Sequence, residues 1–211
     1  MNYLGHLLVL PDAGLTTLGN LLGDFFKGRV AGIEPVELRI GVALHREIDR
    51  FTDSHPVVRR SVARVSPERR RVAGALVDVF YDHFLAQGVD VDRLRGGLME
   101  HLDGLPEELR ELPGRMITSK WLGSYSSVEG IGFVLERMEQ RRKRIVGLVG
   151  AEVELRQHYG ALGEEAAEFF PEVERFAREA FERLRGEAGR KLLLVPGAGL
   201  EPAQRLPSNG F

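Results

Sequence analysis

Apolar residues recur along this chain at three- and four-residue spacing, while alternation of apolar and polar positions is short-lived everywhere. The pattern predicts helices. Tyr3 to Val9 reads as a short extended segment or the opening of a first helix. In Thr16 to Phe26 the residues Leu18, Leu21, Leu22, Phe25 and Phe26 fall at helical spacing, and Gly28 stops the run. Val36 to Phe51 follows Pro35, a good first-turn residue, and shows an inner stripe of Leu44, Ile48 and Phe51. His55-Pro56 opposes its continuation, because the residue before a proline disfavours helical backbone. Ser66-Pro67-Glu68 predicts a restart, with Ser66 as cap and Pro67 in the first position. It leads through Arg69-Arg70-Arg71 into Ala73 to Ala86, AGALVDVFYDHFLA, which is apolar around most of its circumference.

Shorter helices are expected over Val91 to Leu102 and Glu107 to Leu112, the latter after Pro106. Met116 to Tyr125 carries the only tryptophan, Trp121. Ser126 and Glu129 have capping-box spacing before a helix marked by Ile131, Val134, Leu135 and Met138, which runs into Arg141-Arg142-Lys143-Arg144. Two more helices follow, over about residues 151–159 and 164–184, with Pro171 interrupting or kinking the second. The expectation is one all-α domain of about eight helices over residues 1–190, then a Pro- and Gly-rich, disordered tail over 194–211.

Composition narrows the function. Apolar residues form 43% of 211, enough for a sizeable core, and a net charge of −2 argues against a chain-wide nucleic-acid footprint. With no cysteine, thiol nucleophiles, disulfides and thiolate metal sites are excluded, so any metal needs His, Asp, Glu or amide oxygen. Such ligands suit Mn²⁺, Mg²⁺, Fe²⁺ or Zn²⁺. No apolar run approaches the roughly eighteen residues of a membrane span, and the N-terminus lacks a basic signal-peptide region. The default location is cytoplasmic, and nothing in the sequence sets the oligomeric state.

Three predicted helices carry polar pairs four residues apart, Asn20/Asp24, His45/Asp49 and Asp78/Asp82, and His83 and His6 add imidazoles. Side chains at that spacing aim at one point, which is how helical bundles build metal sites. Each pair alone also has a bland reading, since a helical Asp is usually solvated and His45/Asp49 fits a simple hydrogen-bonded pair. Asp78 and Asp82 lie nearly opposite the stripe of Ala73, Leu76, Val77, Phe80 and Phe84, so that helix is expected to turn its acids away from the core. Arg69–Arg71 and Arg141–Arg144 read as solvated faces or as docking sites for an acidic partner. There is no phosphate-binding glycine loop and no GxSxG elbow.

Several motifs together are similar to the acyl carrier protein phosphodiesterase family. They are Asn2-Tyr3-Leu4-Gly5-His6-Leu7, Gly19-Asn20-Leu21-Leu22-Gly23-Asp24-Phe25, His45-Arg46-Glu47-Ile48-Asp49 with Thr52-Asp53, and Asp78-Val79-Phe80-Tyr81-Asp82-His83-Phe84-Leu85. Trp121-Leu122, His158-Tyr159 and Phe170-Pro171 continue the order, and the resemblance covers roughly residues 1–185. It implies an all-helical hydrolase distantly like the HD-domain phosphohydrolases, using Mn²⁺ or, alternatively, Mg²⁺ or Fe²⁺. The implied reaction releases 4′-phosphopantetheine from a serine of holo acyl carrier protein, an acidic partner. The family's metal-site Asp maps to Asp24, and His6, His45, Asp49, Asp82 and His83 match its other polar positions. On that footing Asp24, His45 and Asp82 are the expected metal ligands, with His6, Asp49, Asp78 and His83 as ligands or their supports. Arg46 or Arg50 is expected to brace the phosphate, and Asp49 or His83 to orient an imidazole or protonate the leaving group. Two other readings stay open: a phosphohydrolase acting on a nucleotide or other small phosphodiester, and a non-catalytic bundle with a structural metal.

Overall fold

The computed structural model describes residues 1–10, 13–105, 107–111, 114, 120–141 and 146–194; of 91, 92, 95, 108, 120, 121 and 191–194 it describes the backbone only. Among the described residues there are nine α-helices and no strand, in keeping with the all-α reading. They are α1 (Tyr3–Leu8), α2 (Leu15–Leu22), α3 (Val36–Ser54), α4 (Pro56–Arg64), α5 (Ala73–Ala86), α6 (Val91–Leu102), α7 (Val128–Arg141), α8 (Glu152–Gln157) and α9 (Tyr159–Leu194). Turns of 3₁₀ helix occupy Gly23–Phe25, Val30–Gly32, Pro67–Val72, Glu107–Leu109 and Lys120–Ser126. The predicted tail from 195, the basic run 142–144, Pro106, Leu112 and Met116 lie outside the described residues.

The predicted stops hold better than the predicted starts. Gly28 has a φ of 80°, a left-handed conformation that few side chains tolerate. His55 is extended at φ −70° and ψ 131°, as a residue before proline should be, but Pro56 at once opens an unforeseen helix, α4. The second start holds its place, as a 3₁₀ turn that opens at Pro67. Ser66 does not cap; its hydroxyl donates to Glu154 at 2.5 Å, and the chain passes through a 3₁₀ turn before α5 begins at Ala73. The third is off by one residue: Ser127 Oγ accepts the Gly130 N–H at 3.1 Å, whereas Ser126 donates to the Gly123 carbonyl. Pro171 lies inside α9, which continues on both sides of it.

The chain divides into two compact units. One comprises Met1–Gly5, Asp49–Val91 and Lys120–Val173. Its centre is α5, against which α4, α7 and the Lys120–Ser126 turn pack, and α8 packs on α7. The expectation that α5 turns its acids away from the core needs correction. Asp82 and His83 are as buried as Leu76, Val77 and Phe80, whereas Phe84 of the predicted inner stripe is only half-buried. A helix buried on nearly all sides must satisfy its polar groups inside the protein.

The other unit comprises His6–Ile48, Asp92–Ser119 and Glu174–Phe211. Here α2 and α3 cross with their backbones almost touching. A Cβ on Gly19 would come within 2.3 Å of the Leu38 carbonyl oxygen, and one on Gly41 within 2.2 Å of the Thr16 carbonyl oxygen. Two glycines thus set the approach of the helices, and Leu18, Leu21, Leu38, Val42 and Leu44 close the core around it. Among the described residues no helix is long and apolar enough to cross a membrane.

Candidate metal centre

The close crossing of α2 and α3 brings the last turn of α2 against the middle of α3. The last carbonyls of a helix have no partner within it, and the one on Asn20 is taken by His45. His45 Nδ1 lies 2.7 Å from that carbonyl oxygen, so Nδ1 carries the proton and donates. The Asn20 side chain works in the other direction. Its amide nitrogen donates to the His6 carbonyl at 2.6 Å, which orients the amide and leaves its oxygen 3.0 Å from His6 Nδ1 as acceptor. His6 therefore also carries its proton on Nδ1.

Both imidazoles are thus held from behind by a single residue, fully buried Asn20, and in the neutral form both keep Nε2 as the lone-pair nitrogen. Their rings stack with centroids 4.0 Å apart and planes 19° from parallel. Asp24, on the 3₁₀ turn after α2 and 49% exposed, points Oδ1 at His45 Nε2 across 3.5 Å. That turn passes under the imidazole only because Gly23 has no side chain: a Cβ there would lie 2.2 Å from His45 Cγ. Arg46 ties the following loop, donating to the Phe26 and Gly28 carbonyls at 2.9 Å each. Nitrogen lone pairs of buried imidazoles and oxygen lone pairs of partly exposed carboxylates converge here, a set whose natural complement is a cation. His6, His45 and Asp49 each offer a ligand atom within 4.8 Å of the others, a group that can hold a metal ion. The donor set fits a divalent ion with nitrogen and oxygen ligands, and imidazoles with Nδ1–H anchored on carbonyl oxygens are the usual support of such sites.

Asp49 also borders a second polar group, and Asp78, Asp82 and His83 have partners of their own. Asp49 and Asp78 flank the N-terminal ammonium at 3.2 and 3.4 Å. Burial opposes that charge, but the two carboxylates together outweigh it and raise the ammonium's pKa to about 10. Burial likewise pushes the Asp78 carboxyl up, and the ammonium pulls it down. Asp82 accepts the Leu4 and Gly5 N–H groups at 2.8 and 2.7 Å, one on each oxygen. Its pKa rises to about 7 because burial outweighs those two bonds. His83 donates from Nδ1 to the Tyr125 carbonyl at 2.8 Å and accepts the Tyr159 hydroxyl at Nε2 across 3.0 Å. Asp82 thus grips the first turn of α1, two residues before His6, and His83 serves Tyr125 and Tyr159.

Sequence reasoning paired Asn20 with Asp24 and quoted Gly23 within a motif, but gave neither a role. The four-residue spacing signalled the first; the close approach that requires the second depends on the fold.

The family model of acyl carrier protein phosphodiesterase matches residues 1–173. The chain belongs to this family. An acyl carrier protein phosphodiesterase of Serratia proteamaculans is 33% identical over 190 residues, spanning 85% of this chain and 98% of the relative. Namesakes from Yersinia pestis and Salmonella agona are each 32% identical, covering 84% and 92% of this chain and 98% and 100% of their own length. No solved structure matches the chain. The imidazole cluster falls on segments within the family match, those of His6, Asn20–Asp24 and His45.

Proposed function

We propose that the protein is a divalent-metal-dependent phosphodiesterase that releases 4′-phosphopantetheine from holo acyl carrier protein in the cytoplasm. The observation that carries this reading, beside family membership, is the Asn20-held imidazole pair gathered with the Asp49 carboxylate, three ligand atoms within 4.8 Å of one another. His6, His45 and Asp49 hold the ion, with Asp24 beside His45 as a further oxygen ligand or as base for water. Mn²⁺ is the favoured ion, with Mg²⁺ and Fe²⁺ as alternatives. When bound, the ion supplies electrophilic polarisation of the phosphoryl group.

The protein's own residues do the positioning. Asn20 fixes the tautomer and direction of both imidazoles, Gly23 lets the Asp24 turn approach them, and Arg46 holds the loop after it. Asp82 fixes the helical turn that presents His6. In the reaction, water adds to phosphorus, the bond to the carrier serine oxygen breaks, and that oxygen takes up a proton. A buried, pre-oriented site needs little rearrangement as charge builds on phosphorus.

The test is mass spectrometry of holo carrier protein incubated with the purified enzyme and Mn²⁺. The expected result is loss of the phosphopantetheine mass, stopped by a chelator and restored by added metal. Carrier left intact with Mn²⁺, Mg²⁺ and Fe²⁺ alike, or turnover unaffected by chelation, would overturn the proposal.

A further inference from the structure

The loop that joins α2 to α3 carries two cations, and α3 holds it by the backbone. Arg46 donates to the Phe26 and Gly28 carbonyls at 2.9 Å each, and Arg39 donates to the Ala31 carbonyl at 3.2 Å. Two nitrogens of Arg46, a residue expected to brace the phosphate, are thereby spent on the loop. Each held carbonyl also fixes the N–H that follows it, because the two point in opposite directions across a trans peptide. The amides of Lys27 and Arg29 therefore face away from the Arg46 guanidinium. Among the described residues neither donates to a protein group. The loop is open beside them: a Cβ added to Gly28 would meet nothing within 4 Å.

The side chains of Lys27 and Arg29 are exposed, and among the described residues neither has a carboxylate partner. From Phe25 to Ile33 the sequence holds no acid. The acids at the two ends of that segment are engaged. Asp24 faces His45 Nε2 across 3.5 Å, and Glu34 accepts from Arg39 at 2.8 Å. Two outward amides and two unpaired cations on a braced loop make a place for an anion with several oxygens.

Chain connectivity ties this place to the imidazoles. Lys27 follows Asp24 by three residues, at most about 11 Å of extended chain. The bond from the Phe26 N–H to the Gly23 carbonyl, 3.2 Å, tightens that turn further. A four-carbon stem can carry the Lys27 ammonium back over much of the distance. We infer that Lys27, with the amides of its loop, grips the phosphoryl oxygens of the substrate, while Arg46 holds the loop from behind. The inference rests on the proposed function and names the side chain that reads the phosphate at that site.

The experiment titrates the full chain, loaded with Mn²⁺, with 4′-phosphopantetheine by calorimetry, and measures steady-state release of phosphopantetheine from holo carrier protein. Lys27→Met removes the charge and keeps most of the stem. It is expected to weaken phosphopantetheine binding about tenfold and to lower kcat/KM about 100-fold. Lys27→Arg should bring both back to within about threefold of wild type. Melting temperature and Mn²⁺ affinity, which a merely structural residue would move, should stay at wild-type values in both variants. Phosphopantetheine binding equal in wild type and Lys27→Met overturns the grip and leaves the activity standing. That holds even where the KM for carrier rises, since Lys27 would then meet the protein part of the substrate. Weaker Mn²⁺ binding in Lys27→Met would make its role structural and overturn the grip likewise. A wild type that releases no phosphopantetheine overturns the proposed function, and the calorimetric comparison still decides whether Lys27 holds a phosphate.

Discussion

Two buried polar clusters in this protein are built on opposite plans. In one the hub is Glu165 of α9, 3% exposed, whose oxygens accept from Ser61 at 2.5 Å, Arg60 at 2.9 Å and Arg64 at 2.8 to 3.1 Å. Ser61 in turn meets the Tyr81 hydroxyl at 2.7 Å. Donors and acceptors saturate one another, and nothing is left to bind. In the other the hub is Asn20, whose bonds fall on Nδ1 of His6 and of His45, the imidazoles that with Asp49 form the group that can hold a metal ion. Buried polar groups are costly in both. The first recovers the cost within the protein; in the second the proposed metal ion would contribute to recovering it.

The largest effect expected from breaking the open cluster is on activity. His45→Ala removes the proposed ligand nitrogen and the partner of Asp24, and carrier hydrolysis is expected to fall at least about 10³-fold. The melting temperature falls by only a few degrees in the same variant, because the surrounding apolar core persists. A variant keeping a tenth of the activity would remove His45 from the site.

Gly23→Ala tests the geometry rather than the chemistry. The added methyl would sit 2.2 Å from His45 Cγ, so the imidazole or the Asp24 turn must shift by an ångström or more. Displacement on that scale costs about 10²-fold in rate even with every functional group present. Activity within threefold of wild type would mean that the ring's position does not matter. Asn20→Ala sharpens the point further. The main-chain bond to His45 survives it, while His6 loses the acceptor that sets its tautomer. Mn²⁺ affinity, read by calorimetry, is expected to weaken about 10- to 100-fold.

How much of this was legible in the sequence differs between the two clusters. The spacing of His45/Asp49 and of Asn20/Asp24 pointed to the region where the fold gathers His6, His45 and Asp49, because side chains one helical turn apart already share a direction. The role of Asn20 was not legible, since it depends on where the His6 carbonyl lies, and that is a matter of chain crossing. Asp82 shows the limit of the same signal. Its spacing from Asp78 pointed to a shared ion, yet the fold places the Leu4 and Gly5 amides on its two oxygens. Glu165 carried no signal at all, for a glutamate among the charged positions of a long helix looks solvated until Arg60, Ser61 and Arg64 are folded against it.

The closed cluster yields the smallest effect and the plainest sign. Burial pushes the Glu165 carboxyl up, but the bonds from Arg64, Ser61 and Arg60 together outweigh it and hold the group below the usual carboxylate range. A carboxyl whose folded value lies below its unfolded one stabilises the protein above the unfolded value, and that stabilisation is lost as pH falls through the folded one. Glu165→Gln keeps the shape, removes the charge and leaves two arginines facing an amide, at a cost of about 2 kcal/mol near pH 7. In a chain of 211 residues that lowers the melting temperature by about 4 to 8 °C. Between about pH 5 and pH 3 the wild type should lose part of this advantage, so the two melting curves draw together. Activity at a temperature well below melting should be unchanged in the variant. A gap in melting temperature that stays constant with pH would show that Glu165 is not the ionised hub its four donors require.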